Sequence, residues 1–242
     1  MTRLKEIKKK KSQRIKKYSS LNLKEYDNKY KKGYGIKYPE GHVIRHSSIF
    51  KNKNLLLDFG CGNGTHISFF KGLNVKKIYG VDTSNVVKKI TKRKGVITYK
   101  INEYHDFSND FKEKSFDIIF SNQVLYYLDD REINFYLGQF NRLLKGNGII
   151  FTTWMGRKCN YYTLSKKVKN SSLRKITFNK RLKETTYINF KSRNQIKSLF
   201  KKNKFQTVHM GYYDQIMNFN VIDSGSFHYL HVGKKILKTK LK

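Results

Sequence analysis

The segment Leu55-Leu56-Leu57-Asp58-Phe59-Gly60-Cys61-Gly62-Asn63-Gly64 restricts the fold more than any other part of the chain. A mostly apolar run of strand length enters a turn with glycine at every second position, and Thr65–Lys71 then reads as a helix. A buried strand that meets a helix through such a turn aims backbone N–H groups and the positive helix end at a ligand. Side chains at Gly60 or Gly62 would hold that ligand away. The spacing excludes two phosphate-binding loops. The third glycine of GxGxxG would fall on Thr65, and the Gly-Lys-Ser/Thr of a Walker loop is missing.

From Leu55 onward, strand-like and helix-like segments alternate. Leu55–Phe59, Lys77–Val81, Val96–Ile101, Phe116–Ser121 and Gly148–Thr153 read as buried strands. Thr65–Lys71, Asn85–Lys92 and Arg131–Leu144 read as the helices between them. This rhythm predicts a parallel sheet flanked by helices, and 242 residues suit one such domain with a modest insertion. The predicted domain spans 51–233. Its insertion, 157–190, is polar and weakly periodic and is expected to lie over the site. Ser192–Lys202 resumes as a helix, and Phe205–Gly211 and Phe227–Val232 read as the last strands. Before the domain, residues 1–20 read as a basic, solvated arm, and 21–50 as a helical lead covering the site. Within that lead, Val43, Ile44, Ser47 and Phe50 could share a helix face. Residues 234–242 read as a basic tail.

The formal net charge of +35 suggests a polyanionic partner until the composition is considered. The chain has no alanine and one proline, and lysine outnumbers arginine 42 to 10. That pattern is expected of an AT-rich coding sequence. Selection for phosphate binding would favour arginine, whose planar fork holds phosphate bidentately. A nucleic-acid partner is therefore not the favoured expectation. No apolar run reaches the length of a membrane span, and the basic N-terminus lacks the apolar stretch of a secretory signal. Two cysteines, Cys61 and Cys159, make no disulfide framework. A reduced, cytoplasmic protein is expected.

Three further segments join the glycine turn. Ile78-Tyr79-Gly80-Val81-Asp82 ends a strand in a carboxylate 22 residues after Gly60, where nucleotide-binding βαβ units place the acid that accepts hydrogen bonds from ribose. "SFDIIFSNQVLYYL" at 115–128 and "LLKGNGIIF" at 143–151 complete the set. Together these resemble the class I, Rossmann-like, SAM-dependent methyltransferases (SAM is S-adenosylmethionine), most firmly over residues 50–155. The resemblance implies an α/β fold with a sheet of about seven strands, mostly parallel with an antiparallel last strand, and helices on both faces. It implies SAM as cofactor. Asp58 and the turn Gly60, Cys61, Gly62 and Gly64 would hold its amino-acid part, Asp82 its ribose, and Thr83 would lie beside the adenine. It leaves Glu103 and Asp106 both open as the acid that meets the adenine amine. Asn122 and the residues after it would lie near the sulfonium and the acceptor. Where many relatives carry histidines, this chain has Tyr126 and Tyr127. The stretch Tyr34–Arg45 is similar to a lead seen in small bacterial methyltransferases, and Arg45 is a candidate partner for the SAM carboxylate or a surface arginine.

No residue pattern names a general base. Asn122, Tyr126 and His42 are the catalytic candidates. No metal is expected: His42 and His46 share an i, i+4 spacing without a third ligand nearby. Cys61 answers the turn's need for a small residue. Trp154 fits core packing or acceptor stacking equally. The expected acceptor is a small molecule or a glycan-linked group, methylated on O or N. The alternatives are an RNA or protein acceptor docked on the basic surface, or a SAM-binding protein without catalysis.

Overall fold

The computed structural model describes residues 22–31, 37–90, 92–178, 184–215 and 226–236. The predicted arm, 1–20, lies outside them, as does most of the predicted tail; Lys234 and Lys235 belong instead to the last strand. Residues 22–31 form helix α1. The helix predicted around Gly41–Phe50 is two short ones, α2 (Gly41–Ile44) and α3 (Ser47–Phe50). Val43 and Phe50 are buried as the shared face requires, but Ile44, next to Val43 and so about 100° around the helix from it, is 47% exposed.

The core of the molecule is a seven-stranded sheet in the order β3-β2-β1-β4-β5-β10-β9. These strands are β1 (Leu55–Phe59), β2 (Lys77–Asp82), β3 (Val96–Lys100), β4 (Phe116–Ser121), β5 (Leu144–Met155), β9 (Phe205–Gln215) and β10 (Ser226–Lys235). The first five pair in parallel, and β10 runs antiparallel to both β5 and β9. Thus β10, last in the chain, is the one reversed strand. Successive side chains of a strand face opposite sides, and each side has its own core. Leu57, Phe59 and Ile119 pack under α5 (Asp130–Leu143) and α7 (Arg193–Lys202). Leu56, Phe120 and Phe151 pack under α3 and α4 (Thr65–Gly72).

Capping marks the helix boundaries. The Asp129 side chain accepts from the backbone of Arg131 and Glu132, and Glu132 accepts from the Asp129 N–H, so α5 begins at a complete capping box. Ser192 and Gln195 do the same for α7. The helix expected over Asn85–Lys92 is only a 3-10 turn, Asn85–Lys89, in which adjacent β-branched Val86 and Val87 disfavour an α-helix. Trp154 is fully buried, packs edge-on to Phe200 and donates to Thr152 Oγ1 at 2.8 Å, which makes it a core residue.

The predicted insertion is structured. After α6 (Asn160–Leu164), the strands β6 (Lys166–Lys167), β7 (Arg174–Phe178) and β8 (Glu184–Ile188) form a separate antiparallel sheet. It is anchored beside the C-terminal end of β4: Asn189 N–H donates to Tyr126 O at 2.7 Å, and Ile176 and Ile188 share a buried cluster with Tyr126.

Candidate active site

Parallel strands expose their carboxyl ends along one edge of the sheet, and an open α/β sheet binds ligands there. A cleft lies along that edge. Counted out to its open mouth, it encloses about 1300 Å³. Its walls follow the strand order. Ile101 and Glu103 come from the end of β3, Asp82 and Thr83 from β2, Gly60–Asn63 with Thr65 and His66 from β1 and α4, and Asn122–Val124 from β4. Tyr127, Leu128 and Tyr136 close one side, and α1 lays Leu23, Tyr26 and Tyr30 across the opening.

The glycine turn is built by the protein's own packing as much as by any ligand. Gly60 has φ +80°, and a Cβ there would lie 2.2 Å from Val124 Cγ2. Gly62 has φ +53°, and its missing Cβ leaves room for the Tyr30 hydroxyl, 2.5 Å from where that atom would be. Asp82 ties the turn to β2: its carboxylate accepts from Gly62 N–H at 2.8 Å and Ser84 N–H at 2.7 Å. Burial raises the Asp82 pKa, against the lowering effect of those bonds. Asp58 lies beneath the turn, 1% exposed, and its Oδ2 has no hydrogen-bond partner. Burial, opposed by His66 and reinforced by the Asp82 charge, lifts its pKa to about 7. Cys61 faces the cleft, but burial and those same two carboxylates push its thiol well above the ordinary range, so it is no thiolate nucleophile.

After β4 the chain turns sharply through Gln123, which has φ +57°, a strained conformation for a side chain of this size. The turn is held by Gln123 N–H donating to Thr153 Oγ1 at 2.7 Å. It presents two side-chain amides to Glu40: Asn122 Nδ2 donates at 2.6 Å, and Gln123 Nε2 donates to the other oxygen. Asn122 Oδ1 accepts from Thr153 Oγ1 at 3.1 Å and lies 2.9 Å from His42 Nε2. An amide oxygen only accepts, so with Asn122 in this orientation His42 must carry its proton on Nε2. The ring stacks on Tyr213 at 3.9 Å, and burial lowers the His42 pKa.

Helix α1 is fastened at its N-terminal end and at its middle. The Asn22 amide exchanges 3.0 Å hydrogen bonds with the N–H and C=O of Tyr187 in β8. Asp27 accepts from Ser84 Oγ and Asn85 N–H at the end of β2. Between them, the Tyr26 hydroxyl donates to that of Tyr127.

Of the residues selected from sequence, Gly60, Cys61, Gly62, Asp82, Thr83, Glu103 and Asn122 line the cleft. The others do not. Gly64 is the αL residue that starts α4. Asp58 is covered by the turn. Asp106 is exposed, takes the Ser108 N–H and lies 3.9 Å from Arg142, which leaves Glu103 as the acid on the wall. Arg45 is exposed after α2. Tyr126 is fully buried, and Tyr127 takes its place at the cleft. His42 reaches the cleft only through Asn122. Sequence reasoning placed a helical lead over the site and the residues after Asn122, Gln123 among them, near it, but it singled out neither Glu40 and His66 nor Leu23, Tyr26 and Tyr30 of α1. The i, i+3, i+7 spacing of Leu23, Tyr26 and Tyr30 was a readable signal for that helix face; the partners of Glu40 had none.

A family model described as a methyltransferase domain matches residues 37–210. The chain belongs to this family, as a class I SAM-dependent methyltransferase. No curated protein matches it in sequence. Solved structures share the fold at low identity. A SAM-dependent methyltransferase from Methanosarcina mazei has a TM-score of 0.65 at 14% identity, covering 83% of this chain and 100% of its own. A SAM-dependent methyltransferase from Mesorhizobium loti has 0.58 at 12%, covering 80% and 96%. The 1,6-didemethyltoxoflavin-N1-methyltransferase of Burkholderia thailandensis, bound to 1,6-didemethyltoxoflavin and S-adenosylhomocysteine, has 0.65 at 13%, covering 92% and 91%.

Proposed function

We propose that the protein transfers the methyl group of SAM to a small-molecule or glycan-linked acceptor held between α1 and the end of β4. The observation that carries this reading is the composition of the cleft. The chain has 52 lysines and arginines, and none is among the described residues lining it, whereas Glu40, Asp82, Glu103 and Glu132 are. Such a wall suits SAM, which carries a net positive charge, and opposes phosphate-bearing cofactors such as NAD. Asp82 would hold the ribose and Glu103 the adenine amine, with Ile101 and Tyr136 as apolar walls. Glu132 is committed to its capping box. The unpartnered Asp58 oxygen fits a turn that completes its contacts with ligand present.

SAM supplies a methyl group already activated on a sulfonium. The chain's task is to exclude water and to align an acceptor lone pair opposite the sulfur. Alignment of this kind accounts for about 7–11 kcal/mol in well-oriented reactions. Tyr26, Tyr30 and Tyr127 are placed to do both. The doubly fastened α1 favours an acceptor small enough to lie beneath it, and the Burkholderia neighbour acts on such a molecule.

A second reading keeps the reaction and makes RNA the acceptor. The observation favouring it is the segment 157–178, with seven lysines and arginines and no acid. Radiolabelled methyl transfer from SAM into a fractionated host extract separates the two. Label in the low-mass or glycan fraction supports the proposal, and label confined to RNA or protein refutes it.

A further inference from the structure

Glu40 is poorly explained as a structural residue. It occupies the N-cap of α2, where Ser, Thr, Asp or Asn would be favoured, and its carboxylate makes no capping bond. The side chain turns into the cleft instead, 15% exposed. Three groups from two different strand ends converge on it: Asn122 and Gln123 after β4, and His66 in the first turn of α4, whose Nε2 lies 3.2 Å from Glu40 Oε2. These partners favour the ionised form and hold its pKa below the ordinary value despite burial. The β4 turn adopts its strained Gln123 backbone while both its amides face Glu40.

The position of Glu40 along the sheet decides what it can meet. Asp82 divides the cleft. On its β3 side lie Ile101 and Glu103, suited to adenine. On the other side lie the β1 turn, the start of α4 and the β4 turn, and Glu40 stands over that end, touching residues of both. A ligand with its ribose at Asp82 and its adenine toward β3 must extend its amino-acid end toward Glu40.

We propose that Glu40 is the anion that binds the α-ammonium of SAM, with Asn122, Gln123 and His66 as positioning residues that fix its carboxylate. The assignment rests on the reading of the cleft as the SAM site. It places a cofactor-specificity residue on the N-terminal lead, outside the glycine turn and the acid of β2. It also couples donor binding to the lead: a ligand ammonium at Glu40 would bridge the residues before α2 to the ends of β1 and β4.

The test is calorimetry on the full chain, wild type and Glu40→Gln, with three ligands. SAM and S-adenosylhomocysteine carry the ammonium; 5′-methylthioadenosine carries adenosine and sulfur without the amino-acid end. The expected result is that Glu40→Gln weakens SAM and S-adenosylhomocysteine by about 10- to 100-fold, the range for a charge-assisted hydrogen bond, and leaves 5′-methylthioadenosine unchanged. Equal losses for all three ligands, or none for any, overturn the assignment. So does a loss confined to SAM, which would place Glu40 at the sulfonium. The deaminated analogue of S-adenosylhomocysteine supplies a measurement needing no variant: wild type should bind it at least about tenfold more weakly than the parent, and equal binding overturns the assignment. If wild type bound none of these molecules, the SAM reading itself would fail.

Discussion

Gly60→Ala tests whether the glycine turn is required by the protein or only by its ligand. Two costs can be separated. The residue sits at φ +80°, where a Cβ costs about 1–2 kcal/mol in backbone strain. The new Cβ would also lie 2.2 and 2.8 Å from the two γ carbons of Val124 and 3.0 Å from its Cβ. Overpacking of this kind costs about 1–3 kcal/mol. The single substitution should therefore destabilise the ligand-free protein by about 2–5 kcal/mol. Val124→Ala removes both γ carbons. In the double variant the clash should largely vanish and only the backbone strain remain, so the two changes should couple favourably by about 1–3 kcal/mol. Urea unfolding of the four proteins of this cycle, without ligand, measures the coupling. Additive effects within about 0.5 kcal/mol would refute the idea that Gly60 is kept open for Val124.

The buried Asp58 gives a pH dependence. Its folded pKa is about 7 and its unfolded value is near 3.9, so between these the folded state holds a proton that the unfolded state has lost. Stability from this group falls as pH rises from about 4 to 7, by up to about 1.4 kcal/mol per pH unit. Asp58→Asn should thus gain Tm over wild type progressively across that window and level off above it; a gain independent of pH would contradict the assignment. Asp82→Asn, which preserves the side-chain shape, should weaken SAM binding by about tenfold or more, and unchanged affinity by calorimetry in a folded variant would reject its role at the ribose. Deleting residues 2–17 should leave SAM affinity and turnover of the acceptor nearly unchanged. Those residues carry seven lysines and two arginines against one glutamate, so a large, salt-dependent loss of turnover would instead promote an RNA acceptor.

The sequence alone determined the sheet and the place of its binding edge. Alternating apolar strands and helices, a glycine turn after β1 and an acid ending β2 are local patterns, each produced by spacing within a few residues. The five parallel strands and the helices α4, α5 and α7 were legible for that reason, while the capping boxes at Asp129 and Ser192 that set two of those helix starts came from the structure. Tertiary structure decided what depends on residues distant in the chain. Tyr126 and Tyr127 are adjacent and chemically alike, yet the first is core and the second faces the cleft, because Tyr126 packs against the sheet of the insertion. Glu103 and Asp106 differ by three positions, and only the path after β3 puts one on the wall. Asn22 meets Tyr187 across 165 residues, and Glu40 meets Gln123 across 83. No periodicity encodes such pairs, since each depends on where two separately folded segments bring their side chains together.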